Sequence, residues 1–359
     1  MSENQRVGIL GVGAYLPPSI RKNDFWSQET VQRWGDRALL TRDRLRAATA
    51  GTEGRRLVLE AMESLATDPF QGSRERRVMT DGMASSDMEV AAAEDAIARA
   101  GVDRSEIDVL LVSSMLPDRL SVSNAAIVHR RLGLPKRCLS LTINAACADF
   151  FHQLAVAAPM VSTSAARLAL LVQSNGYQHL CRPEDAHSAW FGDAATAAVV
   201  GPVSAPHGIL AQSQRTDGRY HRALVLGSPS REGYASGGLH LHTEEPAAAL
   251  EMLLDTADNG RDVVRDALAT AGVKPEEVAF YASHQASVWF RPVTQRVIGL
   301  SQARSFDTFA WTASLGPSNV PLMLAMGERD GLLRAGDLVA MYGGGSGIVY
   351  SGAVMRWGR

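Results

Sequence analysis

The sequence predicts an α/β protein made of two duplicated halves, each a mostly parallel sheet layered with helices. Three observations lead there. Asp95-Ala-Ile-Ala-Arg-Ala-Gly-Val102, followed by Glu106-Ile107 and the apolar run Val109 to Ser113, recurs as Asp266-Ala-Leu-Ala-Thr-Ala-Gly-Val273, Glu277-Val278 and Ala279 to Ser283. The copy starts 171 residues after the original in a 359-residue chain, a spacing that means duplication of a whole domain, since solenoid repeats are far shorter. Helices also alternate with apolar strands through both halves, the pattern of layered α/β folds. Finally, 359 residues at 46% hydrophobic can bury the core of a two-domain or duplicated chain.

Taken in order, Arg6 to Tyr15 reads as a buried first strand ending at Leu16-Pro-Pro. Residues 24–70 are charged and helical, with Leu57, Leu59, Met62 and Leu65 forming a stripe that predicts packing onto the body. Gly72-Ser-Arg-Glu-Arg-Arg77 is a basic stretch, read as solvated or as meeting phosphate, before a helix from Ser86 to Ala100. Gly201-Pro-Val-Ser-Ala-Pro206 is the expected junction, dividing a first half (1–203) from a second (204–359). The formal net charge of -2 gives no pull toward nucleic acid or an anionic membrane. Cys138, Cys147 and Cys181 have no disulfide or zinc spacing. There is no signal-peptide pattern and no apolar run of membrane-spanning length, so a cytoplasmic protein is expected.

Leu139 to Ile143 alternates as a short strand does, and Asn144-Ala-Ala-Cys147 then turns into an apolar helix through Leu154, Val156 and Met160. A cysteine at such a junction lies near unpaired amides and the positive end of a helix, which predicts a lowered thiol pKa and a usable nucleophile. The plainer reading is a small buried hydrophobe. His284 follows the repeated strand of the second half, at the strand end where α/β layers form their sites, although a hydrogen-bonded core histidine fits as well. Gly343-Gly-Gly345 follows the strand Leu338 to Met341 and can present backbone N–H groups to an oxyanion or a phosphate. His240 and His242 have a possible metal spacing but no third ligand, so no metal is expected. Asp193, in Phe191-Gly-Asp-Ala-Ala195, reads as a turn residue.

Cys147 in INAACADF, His284 in SHQAS, FGDAA at 191–195 and YGGG at 342–345 stand in an order that resembles the ketoacyl-acyl-carrier-protein synthase III branch of the thiolase superfamily. The first strand with its LPP, the GSRERR stretch, and PDR at 117–119 before a helix ending in RRLGLP resemble it too. That resemblance covers nearly the whole chain. It implies the thiolase fold, an αβαβα layering of two similar halves, and a homodimer. It implies that Cys147 takes an acyl group from a thioester, that the amides of Cys147 and Gly344 form an oxyanion hole, and that His284 activates or orients an acceptor and shuttles a proton. Ser121, Phe191 and Ser287 become the implied substrate-binding residues. The donor is an acyl carrier protein or acyl-coenzyme A, so an acyl-phosphopantetheine thioester is substrate and no cofactor is expected.

Four departures from the family pattern bear on the reaction. Counting back from Val320-Pro321, the family's catalytic asparagine falls on Ser314; Asn319 lies nearby without aligning. An arginine that grips the coenzyme A nucleotide falls on Asp185, an acid that repels phosphate. A bulky aromatic that crosses the dimer interface and limits acyl length falls on Ser121. Residues 27–70 exceed the family's usual segment and add a helix near the expected tunnel mouth. Histidine and asparagine together stabilise the enolate of malonyl decarboxylation, so with Ser314 in that place the sequence points to an acyltransferase passing an acyl group from Cys147 to an oxygen or nitrogen of a small-molecule acceptor in natural-product biosynthesis. The alternatives are a condensing enzyme forming a carbon–carbon bond with Cys147 and His284, and a non-catalytic partner subunit.

Overall fold

The repeated segments fold alike, and the architecture grows from them. The structure is a computed structural model and describes residues 5–36, 48, 50–228, 238–346 and 348–359. In the first half, β1 (Gln5–Tyr15) and the short β2 (Ser19–Lys22) lead to α1 (28–36), α2 (Glu53–Ser64) and β3 (Glu75–Val78). Then follow α3 (Ser85–Ala100), β4 (Ile107–Ser114), α4 (Asn124–Leu132), β5 (Leu139–Thr142), α5 (Asp149–Ser162), β6 (Leu168–Asn175) and β7 (Ala194–Ser204). The second half holds β8 (Gly208–Thr216), β9 (Val225–Gly227), β10 (His240–His242), α6 (Pro246–Ala271) and β11 (Phe280–Ser283). It closes with α7 (Phe290–Ile298), α8 (Phe309–Thr312), α9 (Asn319–Arg329), β12 (Leu338–Gly345) and β13 (Val349–Arg356).

The main sheets run β1-β7-β6-β4-β5 and β11-β12-β13-β8. They are mixed rather than mostly parallel. β5, β4 and β6 are parallel to one another, as are β11 and β12, whereas β1, β7, β13 and β8 join antiparallel. β12 and β13 are separated by three residues, 346–348, too few for the crossover that a parallel pair requires. Between the sheets lie α5 and α9: Phe151 and Leu154, with Met323 and Leu324, pack against Leu111 and Leu171 on one side and Met341 and Met355 on the other. The helices α3 and α4 cover the outer face of the first sheet, and α2, α6 and α7 that of the second. Helix, sheet, helix, sheet, helix is the five-layered thiolase fold. Burial of each sheet on both faces explains why β6 reads as an unbroken buried run from Leu168 to Asn175.

The predicted stripe on α2 packs as expected, with Leu57, Val58 and Leu59 buried and Leu65 against the outer core. The basic stretch is solvated only in part, with Arg74 exposed and Arg77 half-buried. Its Arg76 is fully buried in β3, donates to Arg21 O, Asn23 Oδ1, Ser73 Oγ and Ala189 O, and stacks 4.8 Å from the Trp26 ring. Its Nε has no partner among the described residues, but the whole side chain is enclosed, which keeps it out of reach of a phosphate in solution.

Candidate active site

The two inner helices begin on either side of one cavity. Each is preceded by a single tight turn: Ala146–Ala148, which holds Cys147, before α5, and Gly316–Ser318 before α9. A cavity of about 440 Å³ reaches Cys147, His284, Ser314 and Gly344, and Phe191 and Ser287 line it as well. Its wall is predominantly apolar, with Trp34 of α1 and Met62 of α2 among the lining residues; residues 37–47 and 49 of the 27–70 segment lie outside the described residues. A larger open depression of about 850 Å³, lined by Ala155, Pro159 and Gln212, contains none of these groups.

The glycine triplet, expected to follow the strand Leu338 to Met341, is part of it. β12 continues through Gly345, pairing Gly343 with Ser351, Gly344 with Tyr350 and Gly345 with Val349. A Cβ on Gly345 would lie 2.2 Å from Ala145 O, and one on Gly343 2.5 Å from the Phe151 ring. Only bare backbone lets this strand press against the cysteine turn and α5. Gly344, between them, faces no such clash and lies on the cavity wall.

Cys147 departs from expectation in its electrostatics. Burial, with the Asp149 carboxylate adding to it, pushes the thiol up to about 12, and the residue's own N–H only partly offsets this. The sulfur is enclosed by protein yet keeps access to the cavity. Sequence reasoning placed the helix start correctly and overlooked the acid within it. Asp149 is buried, accepts from Ser113 Oγ and the Ala145 amide, and is itself pushed up to about 7 by burial. An acid inside the apolar INAACADFF was the signal available.

His284 continues from β11, its amide donating to Tyr342 O at 2.8 Å, and its ring lies edge-on to Phe290 with centroids 5.2 Å apart. Next to it, Gln285 Oε1 accepts from the amides of Thr308 and Phe309, pinning the segment that leads to Ser314. Burial lowers the imidazole to about 4, opposed by the Gly316 carbonyl. Its Nδ1 lies 2.9 Å from Asn319 Nδ2. Of the two candidates for the third position, therefore, Asn319 holds the histidine and Ser314 lines the cavity. Ser314 is fixed through its backbone, its N–H donating to Trp190 O at 2.9 Å and its carbonyl accepting from Gly192 N–H at 3.0 Å. Its buried Oγ has no partner among the described residues, and the same holds for Ser287 Oγ and Tyr350 OH, both on the cavity wall. Tyr350 was missed by the sequence reading, although a tight hairpin after the glycine triplet would have placed it opposite Gly344.

Ser121 is not brought to this cavity; it is exposed, between Leu120 and Val122. Asp185 lies next to the cavity-lining Ala186 and His187. Asp193 is a buried clamp, accepting from the amides of Met79 and Gln178, and burial raises it to about 7. His242 stands 3.7 Å from Glu244, and among the described residues no cluster of three metal-ligating side chains forms around the pair. Among the described residues no helix is long and apolar enough to cross a membrane.

Two family models match the chain: 3-oxoacyl-[acyl-carrier-protein] synthase III over residues 141–218, and the synthase III C-terminal model over 268–357. A β-ketoacyl-[acyl-carrier-protein] synthase III of Geobacillus kaustophilus is 28% identical, covering 98% of this chain and 99% of its own. Among solved structures, the Aquifex aeolicus synthase III superposes with a TM-score of 0.79 at 22% identity, covering 98% of this chain and 100% of its own. The priming β-ketosynthase of the R1128 polyketide pathway gives 0.79 at 25% identity, with 99% and 97% covered.

Proposed function

The chain belongs to the 3-oxoacyl-[acyl-carrier-protein] synthase III-like family, and within it we propose an acyltransferase that passes an acyl group from a pantetheine thioester through Cys147 to an oxygen or nitrogen acceptor in natural-product biosynthesis. In the first step the Cys147 sulfur attacks the thioester carbonyl, and the pantetheine sulfur leaves with the thiol's proton. The amides of Cys147 and Gly344 hold the carbonyl oxygen as it gains charge. In the second step the acceptor displaces the sulfur.

One observation carries this reading. Ser314 stands where an asparagine would donate to an enolate, and the nearby Asn319 carboxamide has both its hydrogens on protein acceptors, Gly316 O and His284 Nδ1. Malonyl decarboxylation then lacks a carboxamide donor, and losing one such donor costs about 2.7–4 kcal/mol. The competing reading, condensation with carbon–carbon bond formation, is favoured by the names of the relatives. Intact mass of protein given acyl thioesters and then acceptors, beside release of carbon dioxide from malonyl thioester, separates the two. Carbon dioxide released as fast as Cys147 is acylated would establish condensation.

A carrier protein is the proposed donor, because Asp185 at the mouth disfavours the phosphates of free coenzyme A. A homodimer is proposed as well. β5 is the open edge of its sheet, with Leu139 and Leu141 exposed, and Leu120 and Val122 are exposed on the loop that holds Ser121. An edge strand of this kind is a template for pairing.

A further inference from the structure

Asn319 has its orientation dictated by backbone. Its Oδ1 accepts from the Leu315 amide at 3.3 Å, and its Nδ2 donates to Gly316 O at 3.1 Å. Turning the carboxamide over would set oxygen against the Gly316 carbonyl and NH₂ against the Leu315 N–H, so two independent contacts exclude the flipped form. The second Nδ2 hydrogen is then directed at His284 Nδ1, 2.9 Å away. A proton on Nδ1 would face that hydrogen, so Nδ1 must offer its lone pair and the neutral ring carries its proton on Nε2. The Gly316 carbonyl also faces the ring and favours a proton on it, but at 2.9 Å the Asn319 amide hydrogen leaves no room for one on Nδ1. Nε2 has no partner among the described residues, and His284 lines the cavity.

We infer that Asn319 is a positioning residue that holds His284 as the Nε2–H tautomer, making the histidine a hydrogen-bond donor to substrate and restricting the acceptor to an amine. The inference rests on the acyl-transfer reading and narrows it. A ring with Nε2 protonated and Nδ1 engaged cannot remove a proton from an alcohol, and an alcohol attacks a thioester slowly without a base. A neutral amine attacks with its own lone pair. The nitrogen–carbon bond forms, the carbon–sulfur bond of acyl-Cys147 breaks, and the Cys147 thiolate takes the proton that the nitrogen must lose, regenerating the thiol. The raised pKa of that thiol makes its thiolate a capable proton acceptor at this point.

The test begins with the tautomer. In protein labelled with ¹⁵N-histidine, the ring signals lost in His284→Ala belong to His284. They should show protonated Nε2 and a bare Nδ1 in the unmodified protein, and the opposite pattern would overturn the inference without any variant. Asn319→Asp replaces a donor with an acceptor, so it should move the proton to Nδ1, raise the imidazole pKa and free Nε2 as a base. With protein preloaded by an acetyl-pantetheine thioester and offered benzylamine or benzyl alcohol, the amine-to-alcohol rate ratio should fall at least ~10-fold in Asn319→Asp, given that a base contributes ~10²–10⁴ to such a step. An unchanged ratio alongside a changed tautomer would remove the amine restriction. Failure of the acyl-transfer reading looks different: neither acceptor is acylated, whatever the tautomer, while malonyl thioester loses carbon dioxide as fast as Cys147 is acylated.

Discussion

The two halves share a backbone and divide the chemistry. In each, a helix ends on a glycine at φ +65°, Gly101 and Gly272, and a one-turn loop then leads into a parallel strand. At the 171-residue spacing Ser113 corresponds to His284, and Cys147 to Ser318. The strand ends therefore differ in kind: Ser113 Oγ donates to the Asp149 carboxylate within the nucleophile's helix start, while His284 faces the cavity. The helix starts differ likewise: Cys147 presents a sulfur to the cavity, whereas Ser318 turns its hydroxyl to Gln173 O and the next residue, Asn319, grips the histidine. Duplication supplied equivalent positions in the two halves, and at each only one of the pair, Cys147 or His284, lines the cavity, while Ser113 and Ser318 bond within the protein.

The largest effect should come from removing the group that has no counterpart. Cys147→Ala is expected to abolish acyl-enzyme formation, read by intact mass, while leaving the melting temperature near that of the unmodified protein. An acyl mass gained at full rate in this variant would place the nucleophile elsewhere.

Restoring a donor on the other side of the cavity should come next. Ser314 is fixed by its backbone bridge to the Phe191 loop, so a longer side chain there extends from a held position on the cavity wall. Ser314→Asn should raise carbon dioxide release from malonyl thioester by ~10²–10³ if it recovers the second enolate donor. Acylation of an amine acceptor should not improve with it.

These two positions show what the sequence could reveal. The repeat disclosed the duplication because glycine caps and apolar strands follow local rules that any one segment displays. It also disclosed where Cys147 and His284 stand, since both sit at element junctions. What it could not disclose depends on approach in three dimensions. Asn319 reaches His284 across 35 positions of chain, and nothing in the spacing says that Ser314 remains on the wall instead. The thiol's pKa was misjudged for the same reason. Counting helix amides predicts a lowered value, whereas enclosure and the Asp149 carboxylate outweigh them. The glycines of β12 read as lying past the strand because their cause, the closeness of Ala145 and Phe151, belongs to another part of the chain.

That electrostatic asymmetry gives a third expectation. With the Cys147 thiol at about 12, its alkylation by iodoacetamide should climb about tenfold per pH unit from pH 7 to 10, because only the thiolate reacts. A plateau near pH 7 would indicate a lowered pKa instead. Asp149→Asn keeps its one acceptor oxygen for the Ala145 amide, turns its NH₂ toward the Ser113 hydroxyl, which can rotate to accept, and removes the charge, so the thiol pKa should fall. Alkylation at pH 8 should then rise, about tenfold for each unit of that fall.

The smallest effect examines the shared backbone itself. Before β4 the Asp103 amide donates to Glu106 Oε2 at 3.1 Å, and before β11 the Lys274 amide donates to Glu277 Oε2 at 2.7 Å, the same device at equivalent positions. The first turn has a second tie that the other lacks: Asp103 Oδ1 accepts from the Ser105 amide at 2.7 Å, whereas the equivalent Lys274 has no acceptor in its side chain. Removing the glutamate therefore leaves one turn half-capped and the other bare. Measured at high salt, which screens the exposed Arg167–Glu106 pair at 2.9 Å, Glu277→Ala should cost about 1 kcal/mol and Glu106→Ala about 0.5 kcal/mol, within the range of capping side chains. Urea unfolding of the two variants reads the difference, and Lys274→Asp, which copies the first-half arrangement into the second, should recover part of the loss in Glu277→Ala. Equal costs for the two glutamates, with no recovery, would mean that the likeness of the turns is one of path alone.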